Sequence, residues 1–145
     1  MNDNQDNTTV GTEPDMVNHP PHYTDGPSLG KLECLDITRM LPFDLGNAFK
    51  YVWRAGKKDP KKAVEDLQKA EFYLTDWWVT PKMLRVVLYP RETFLLARTM
   101  FSHVEKMPSV DLLERTRMAI LQAILDDQAE EACDLILRMR SLFDA

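Results

Sequence analysis

Apolar residues recur at intervals of three and four along most of this chain, in blocks punctuated by proline, glycine and aspartate. Beginning near Leu32, the residues Cys34, Leu35, Ile37 and Leu41 mark one side of a short helix that Pro42 should end. Asp44 is placed to cap a second helix, from Leu45 to about Ala55, with Gly56 where a left-handed residue closes a helix. Asp59 as N-cap and Pro60 at the first helical position, where a missing N–H costs nothing, open a third helix reaching about Trp78. Its apolar positions are Ala63, Val64, Leu67, Ala70, Leu74, Trp77 and Trp78. A connection of Gly-Lys-Lys-Asp between the second and third helices predicts an antiparallel hairpin.

The periodicity breaks from Thr80 to Pro90, where Met83–Tyr89 reads equally as a short strand or an extended connector. Three further helices are expected, Arg91–Lys106, Ser109–Asp126 and Gln128–Phe143, with Ser109 and Asp127 as caps of the last two. Ala132, Leu135, Ile136, Met139, Leu142 and Phe143 give the last helix a broad apolar face, which predicts more than one packing neighbour, in this chain or in another subunit. The fold class is all-α: a small helical bundle built on an antiparallel helix hairpin, with an irregular N-terminal segment and a C-terminal three-helix extension. Residues 1–15 are polar and read as a disordered arm. Residues 16–78 form the hairpin domain, and 79–145 an extension serving as a lid or in oligomerisation.

Composition narrows the class. The chain has 145 residues, 44% of them hydrophobic, enough for a core without metals or disulfides. It has no run of apolar residues long enough to span a membrane, and its first residues lack the basic and apolar regions of a secretory signal. Its two cysteines, Cys34 and Cys133, stand far apart in no metal-binding spacing, which fits a reducing cytoplasm. The net charge of −5 has the wrong sign for bulk nucleic-acid binding.

The positive charge is nevertheless concentrated. Between Asn47 and Lys69 stand seven basic residues and three acidic ones, so the rest of the chain is strongly acidic. On the second helix, Phe49, Val52 and Trp53 point to one side, while Asn47, Lys50, Tyr51 and Arg54 form a row on the other, extended by Lys57 and Lys58. Arginine offers a planar fork of donors and lysine a mobile point charge, a combination suited to phosphate. Tyr23, Tyr51 and the histidines His19 and His22 could stack on or hydrogen-bond a base. On the third helix, Asp66 and Lys69 are three apart and present a carboxylate and an ammonium to the same groove, where the carboxylate could hold Mg²⁺, orient a basic side chain or accept a sugar hydroxyl. The plain alternative is a solvated basic turn with intrahelical ion pairs.

Other constellations point to structure. His19 and His22 are flanked by prolines that preclude a helical metal pair, and no further ligand is evident. Trp77 and Trp78 read as core or interface, Cys34 as a core thiol, and Asp126, Asp127, Glu130 and Glu131 as a capped, solvated helix start. No Walker A loop is present, because Gly56-Lys57-Lys58 lacks both the first glycine and the Ser/Thr.

Four segments taken together, Val17-Asn18-His19-Pro20-Pro21-His22-Tyr23, Glu33-Cys34-Leu35-Asp36, Gly46 through Lys58, and Glu65 through Leu74, resemble a small family of tailed-phage proteins. That family is catalogued as a domain of unknown function, SaV-like, and includes the nucleotide kinase of T-odd coliphages. The resemblance covers about residues 17–76 and leaves the C-terminal half outside it. It implies a nucleotide-handling phage protein in the cytoplasm of an infected bacterium. Carried over by position, His19, His22 and Tyr23 would meet base or sugar, Asn47, Lys50, Arg54, Lys57 and Lys58 the phosphates, and Asp66 and Lys69 would orient these groups or bind metal.

The functional expectation is a phage nucleotide-handling protein that binds a (deoxy)nucleotide phosphate with the Lys/Arg row, with phosphorylation of nucleoside monophosphates as its candidate activity. If it is a nucleoside monophosphate kinase, Lys50, Arg54 and Asp66 are the candidate catalytic groups and Mg²⁺ the cofactor. Tyr51 and Lys69 complete the nucleotide-binding set. The alternatives are a non-catalytic protein that sequesters a nucleotide in counter-defence, and a helical adaptor for a host protein. A homo-oligomer is expected, because one hairpin buries a nucleotide poorly, and no membrane partner is.

Overall fold

The computed structural model describes residues 17–18, 33–85, 91–107 and 109–144, with the side chains of 91–94 and 105 left aside. Among these residues the structure is all-α: α1 (Cys34–Thr38), α2 (Phe43–Arg54), α3 (Ala63–Val79), α4 (Arg91–Glu105), α5 (Leu112–Leu125) and α6 (Ala129–Phe143). Short 3₁₀ turns at Pro60–Lys62 and Lys82–Leu84 precede α3 and follow it. The second turn takes up Met83 and Leu84, the first two residues of the stretch expected as a strand or connector; Arg85 is extended, and residues 86–90 lie outside the described residues. So does the N-terminal arm.

Helix α2 begins directly after Pro42, whose φ of −56° already suits a helix entry. Asp44 therefore lies inside the first turn, where it faces the positive helix end, and is not the cap that its position suggested. At the other end Gly56 takes φ +82°, the left-handed exit expected of it. A Cβ on Gly56 would come within 2.9 Å of the Phe143 ring, so the last residue of α6 is seated against this turn. Asp59 accepts from the backbone N–H of Lys61, capping the 3₁₀ turn that leads into α3.

Two further caps differ from the sequence expectation. Asp111, not Ser109, caps α5, its carboxylate accepting from the Glu114 N–H at 2.8 Å. Asp127 does not cap α6: it adopts φ +56° and its carboxylate accepts the indole N–H of Trp77 at 2.6 Å, tying the end of α3 to the α5–α6 turn. Of the tryptophan pair, Trp77 is buried and Trp78 exposed. In α1, Cys34 and Ile37, three apart, are buried together, whereas Leu35, two positions from Ile37, lies across the turn from it and faces outward.

Helices α2 and α3 pack as the antiparallel hairpin; α6 lies against both α3 and α5, and α5 also meets α2 and α4. The broad apolar face of α6 thus has its two neighbours within this chain, with Ala132, Ile136 and Met139 fully buried and Leu142 partly exposed. One continuous core joins Phe49, Val52 and Trp53 of α2 to Leu67 and Leu74 of α3, Phe101 of α4, Met118 and Leu121 of α5 and Ile136 of α6. The Phe49 ring stacks on Trp53 at 5.9 Å and tilts toward Phe101 at 6.1 Å.

A buried polar link between the two halves is made by Arg117. It is buried on α5, and its Nη1 donates to the carbonyls of Val52 at 2.7 Å and Trp53 at 3.0 Å, while Glu114 accepts from its Nε at 3.1 Å. The carbonyls in the last turn of a helix lack intrahelical donors, so this guanidinium closes the C-terminal end of α2 and meets its negative pole. At the surface, Arg140 pairs with Glu71 at 3.2 Å and Arg98 with Asp126 at 3.2 Å.

Candidate functional site: a cationic cluster around Tyr51

The polar row of α2 exists as expected, and its members converge on one ring. Lys50 Nζ lies 4.6 Å, Arg54 Cζ 4.7 Å and Lys69 Nζ 5.4 Å from the Tyr51 ring centroid. All three are within the range at which a cation is attracted to an aromatic quadrupole. Tyr51 itself stacks on Tyr73 of α3, with centroids 6.0 Å apart and planes 9° from parallel, so its orientation is set by the hairpin partner. Helical spacing alone explains why Lys50 and Arg54 flank Tyr51; the antiparallel packing of α3 supplies Lys69 and Tyr73.

Each cation is held. The Asn47 side chain donates to the Phe43 carbonyl at 2.8 Å and its Oδ1 accepts from Lys50 Nζ at 3.1 Å, so Asn47 steers Lys50. Arg54 donates from Nη2 at 3.0 Å and Nε at 3.3 Å to the same oxygen of Asp66, which is buried on α3. Lys69 bonds Glu65 at 3.1 Å across one helical turn, and this bond holds the Lys69 ammonium above, and the Glu65 carboxyl below, their usual pKa values. Lys57 turns to the Trp53 ring, 5.6 Å from its centroid, and Lys58 is exposed on the connecting turn.

Asp66 and Lys69 therefore part company. Lys69 stays half-exposed beside Tyr51, whereas the Asp66 carboxylate is spent on orienting Arg54. The Arg54 guanidinium occupies Oδ1 of Asp66, so a magnesium ion approaching this carboxylate would meet a positive charge already seated there. Among the described residues no group of three or more His, Cys, Asp and Glu side chains is placed to share a metal.

Beside Lys50 opens a cavity of about 230 Å³ between α1 and the described pair Val17–Asn18. Glu33, Cys34, Leu35 and Thr38 line it together with Lys50, giving apolar walls with an amide, a carboxylate, a hydroxyl and an ammonium at hand. Burial pushes the Cys34 thiol up to about 12 against the pull of Lys50 and Lys57, so Cys34 is a neutral wall residue and no nucleophile. His19, His22 and Tyr23 lie outside the described residues. The sequence singled out neither Thr38 nor the cavity, because α1 reads only as a short core helix; the proline-rich approach to it was the one available signal. Arg117, which fixes the end of the helix bearing the row, was also missed. Its place among Leu113, Ile120, Leu121 and Ile124 on the apolar face of α5 could have marked it as buried.

Residues 17–75 match a family described as a protein of unknown function, DUF3310, a span of less than half the chain that ends within α3. It contains the whole Tyr51 cluster and the cavity residues, and excludes Arg117 and all of α4–α6. No curated protein and no solved structure matches the chain. No helix among the described residues is long and apolar enough to cross a membrane.

Proposed function

We propose that this protein binds a nucleotide, gripping its phosphates with Lys50, Lys69 and Arg54 around Tyr51 and placing the remainder of the ligand toward the cavity beside Lys50. The observation that carries this reading is the convergence of three cations on one tyrosine ring, drawn from two helices and each oriented by a polar neighbour. Arg54 and Lys69 each already face a carboxylate, so among the described residues the uncompensated charge of the three is that of Lys50, and an anion placed beside it is attracted by the neighbouring guanidinium and ammonium as well. A phosphate is the anion that matches a guanidinium fork beside mobile ammonium groups. Lys57 and Lys58 extend the positive potential along the connecting turn and would steer the ligand inward.

A binding protein without turnover is favoured over a phosphotransferase by one observation: the Asp66 carboxylate is taken up by Arg54. Transfer between nucleotides depends on positioned cations and on a second phosphate site, and the Tyr51 cluster supplies one. The Mg²⁺ expected of a kinase would find the Asp66 carboxylate already engaged by Arg54. The phage setting and the kinase resemblance remain part of this proposal only as the class of ligand they suggest, a (deoxy)nucleoside phosphate.

The test is isothermal titration of the protein against nucleoside mono-, di- and triphosphates, each with and without Mg²⁺. Binding of one phosphate class with one site per chain, unchanged by Mg²⁺, is the expected result. Separate sites for a monophosphate and a Mg-triphosphate would favour the transferase, and no heat with any of them would remove the nucleotide reading.

A further inference from the structure

The α2–α3 hairpin carries opposite chemistry at its two ends. The turn that joins the helices exposes Lys58, Lys61 and Lys62. At the far end, one α2 length away (about 18 Å for a helix of this size), lies a groove of about 390 Å³. Phe43, Phe72, Tyr73 and Leu84 wall it, and Asp44 and Asp76 stand within it; among the described residues no lysine or arginine lines it. Phe43 is 75% and Phe72 66% exposed, each edge-on to the Tyr73 ring, so three aromatic side chains are held in a fixed frame facing solvent.

Such a frame is costly to leave bare, and one of its charges, Asp76, is placed against local stability. The C-terminal end of a helix favours cations, yet the last turn of α3 has no basic residue and carries Asp76. Asp44 reaches the same groove from α2. Burial, a hydrogen bond shared with Asp76 and the Asp76 charge together push the Asp44 carboxyl up to about 6, the mark of two carboxylates crowded together.

We propose that this groove receives the Lys58–Lys62 turn of a second copy of the chain, so that copies associate head to tail along the hairpin. The lysine stems would lie along the Phe43, Phe72 and Tyr73 faces while their ammonium groups meet Asp44 and Asp76. The complement is present in the chain itself: the hairpin turn is its most basic segment, and the remainder is acidic. Because the two surfaces differ, the contact is heterologous, and repeated contacts close into a ring or extend as a filament. The contact shares Lys58 and Tyr73 with the neighbourhood of the proposed nucleotide site but needs neither Lys50 nor Lys69, and its test leaves Lys58 and Tyr73 in place.

Sedimentation velocity over a range of protein concentrations at low salt tests it. The intact chain should show mass beyond the monomer that grows with concentration and shrinks with added salt. A groove variant, Asp44→Asn with Asp76→Asn, and a turn variant, Lys61→Glu with Lys62→Glu, should each sediment as folded monomers by circular dichroism. Mixed one to one, they should form a dimer and nothing larger, since one intact groove then meets one intact turn. A monomeric intact chain at all concentrations, association that either variant leaves unchanged, or a mixture that stays monomeric would each overturn the proposal.

Discussion

Arg54 and Asp66 form a two-donor ion pair across the hairpin, Nη2 and Nε of the guanidinium sharing one carboxylate oxygen at 3.0 and 3.3 Å. Both side chains are largely withdrawn from water, so the pair joins the functional face of α2 to the core of the fold. Removing one partner strands the other as a buried charge, and such losses cost about 3 kcal/mol or more. Arg54→Ala should accordingly lower the free energy of unfolding by about that amount in urea titration. Replacing both residues together should cost less than the sum of the two single changes, as expected of directly coupled groups. Equal and additive losses would show the pair to be solvated.

Gly56 is constrained twice, by its left-handed φ and by the Phe143 ring against its Cα. Gly56→Ala should destabilise by about 1–3 kcal/mol, the usual cost of a side chain in that backbone region plus displacement of the ring. The same substitution in a Phe143→Ala background should cost less than in the intact chain. Thermal unfolding of the four proteins measures the difference.

Arg117 ties α5 to the end of α2 through two carbonyl oxygens. Arg117→Met keeps an unbranched apolar stem but leaves both carbonyls and Glu114 without this donor, and hydrogen bonds to a charged group contribute roughly 1.5–3 kcal/mol each. The variant should be less stable, and amide exchange should accelerate first over the last turn of α2. Exchange unaltered at Val52–Ala55 would refute the capping role.

Asp44 gives stability a pH dependence of defined sign. Its folded carboxyl titrates near 6 against an ordinary 3.8, so between these values the folded chain binds more protons than the unfolded one. The favourable contribution of the protonated form is present at the acid end of that window and is lost as pH rises through about 6. Asp44→Asn should therefore raise stability at pH 7 and flatten the profile between pH 4 and 6, as read from chemical denaturation across that range. A steeper profile in the variant would contradict the Asp44–Asp76 interaction.

The helices and the polar row were legible in the sequence because both follow from spacing. Residues at i, i+3, i+4 and i+7 must share a face, so Asn47, Lys50, Tyr51 and Arg54 could be placed together from their numbers alone. What each does with its charge depends on a second helix. Asp66 at the start of α3 could as well have faced a ligand, and only the packing of α3 on α2 turns it toward Arg54. Caps were less legible for a related reason: Asp44, Ser109 and Asp127 each have a near neighbour able to begin the helix, and Asp127 finds a stronger partner in an indole fifty residues away. Arg117 was hidden because an arginine in a helix reads as surface until two carbonyl groups are seen to require it.

The central claim is that Lys50 and Lys69 grip phosphate beside Tyr51, and its most direct test is the affinity of Lys50→Ala and Lys69→Ala for the nucleotide the intact chain binds best. Neither residue holds up the core, so both variants should unfold at the same temperature as the intact protein. Each loses a charge-assisted contact, and binding should weaken about tenfold or more in each. Unchanged affinity in both folded variants would contradict the account and move the site away from Tyr51.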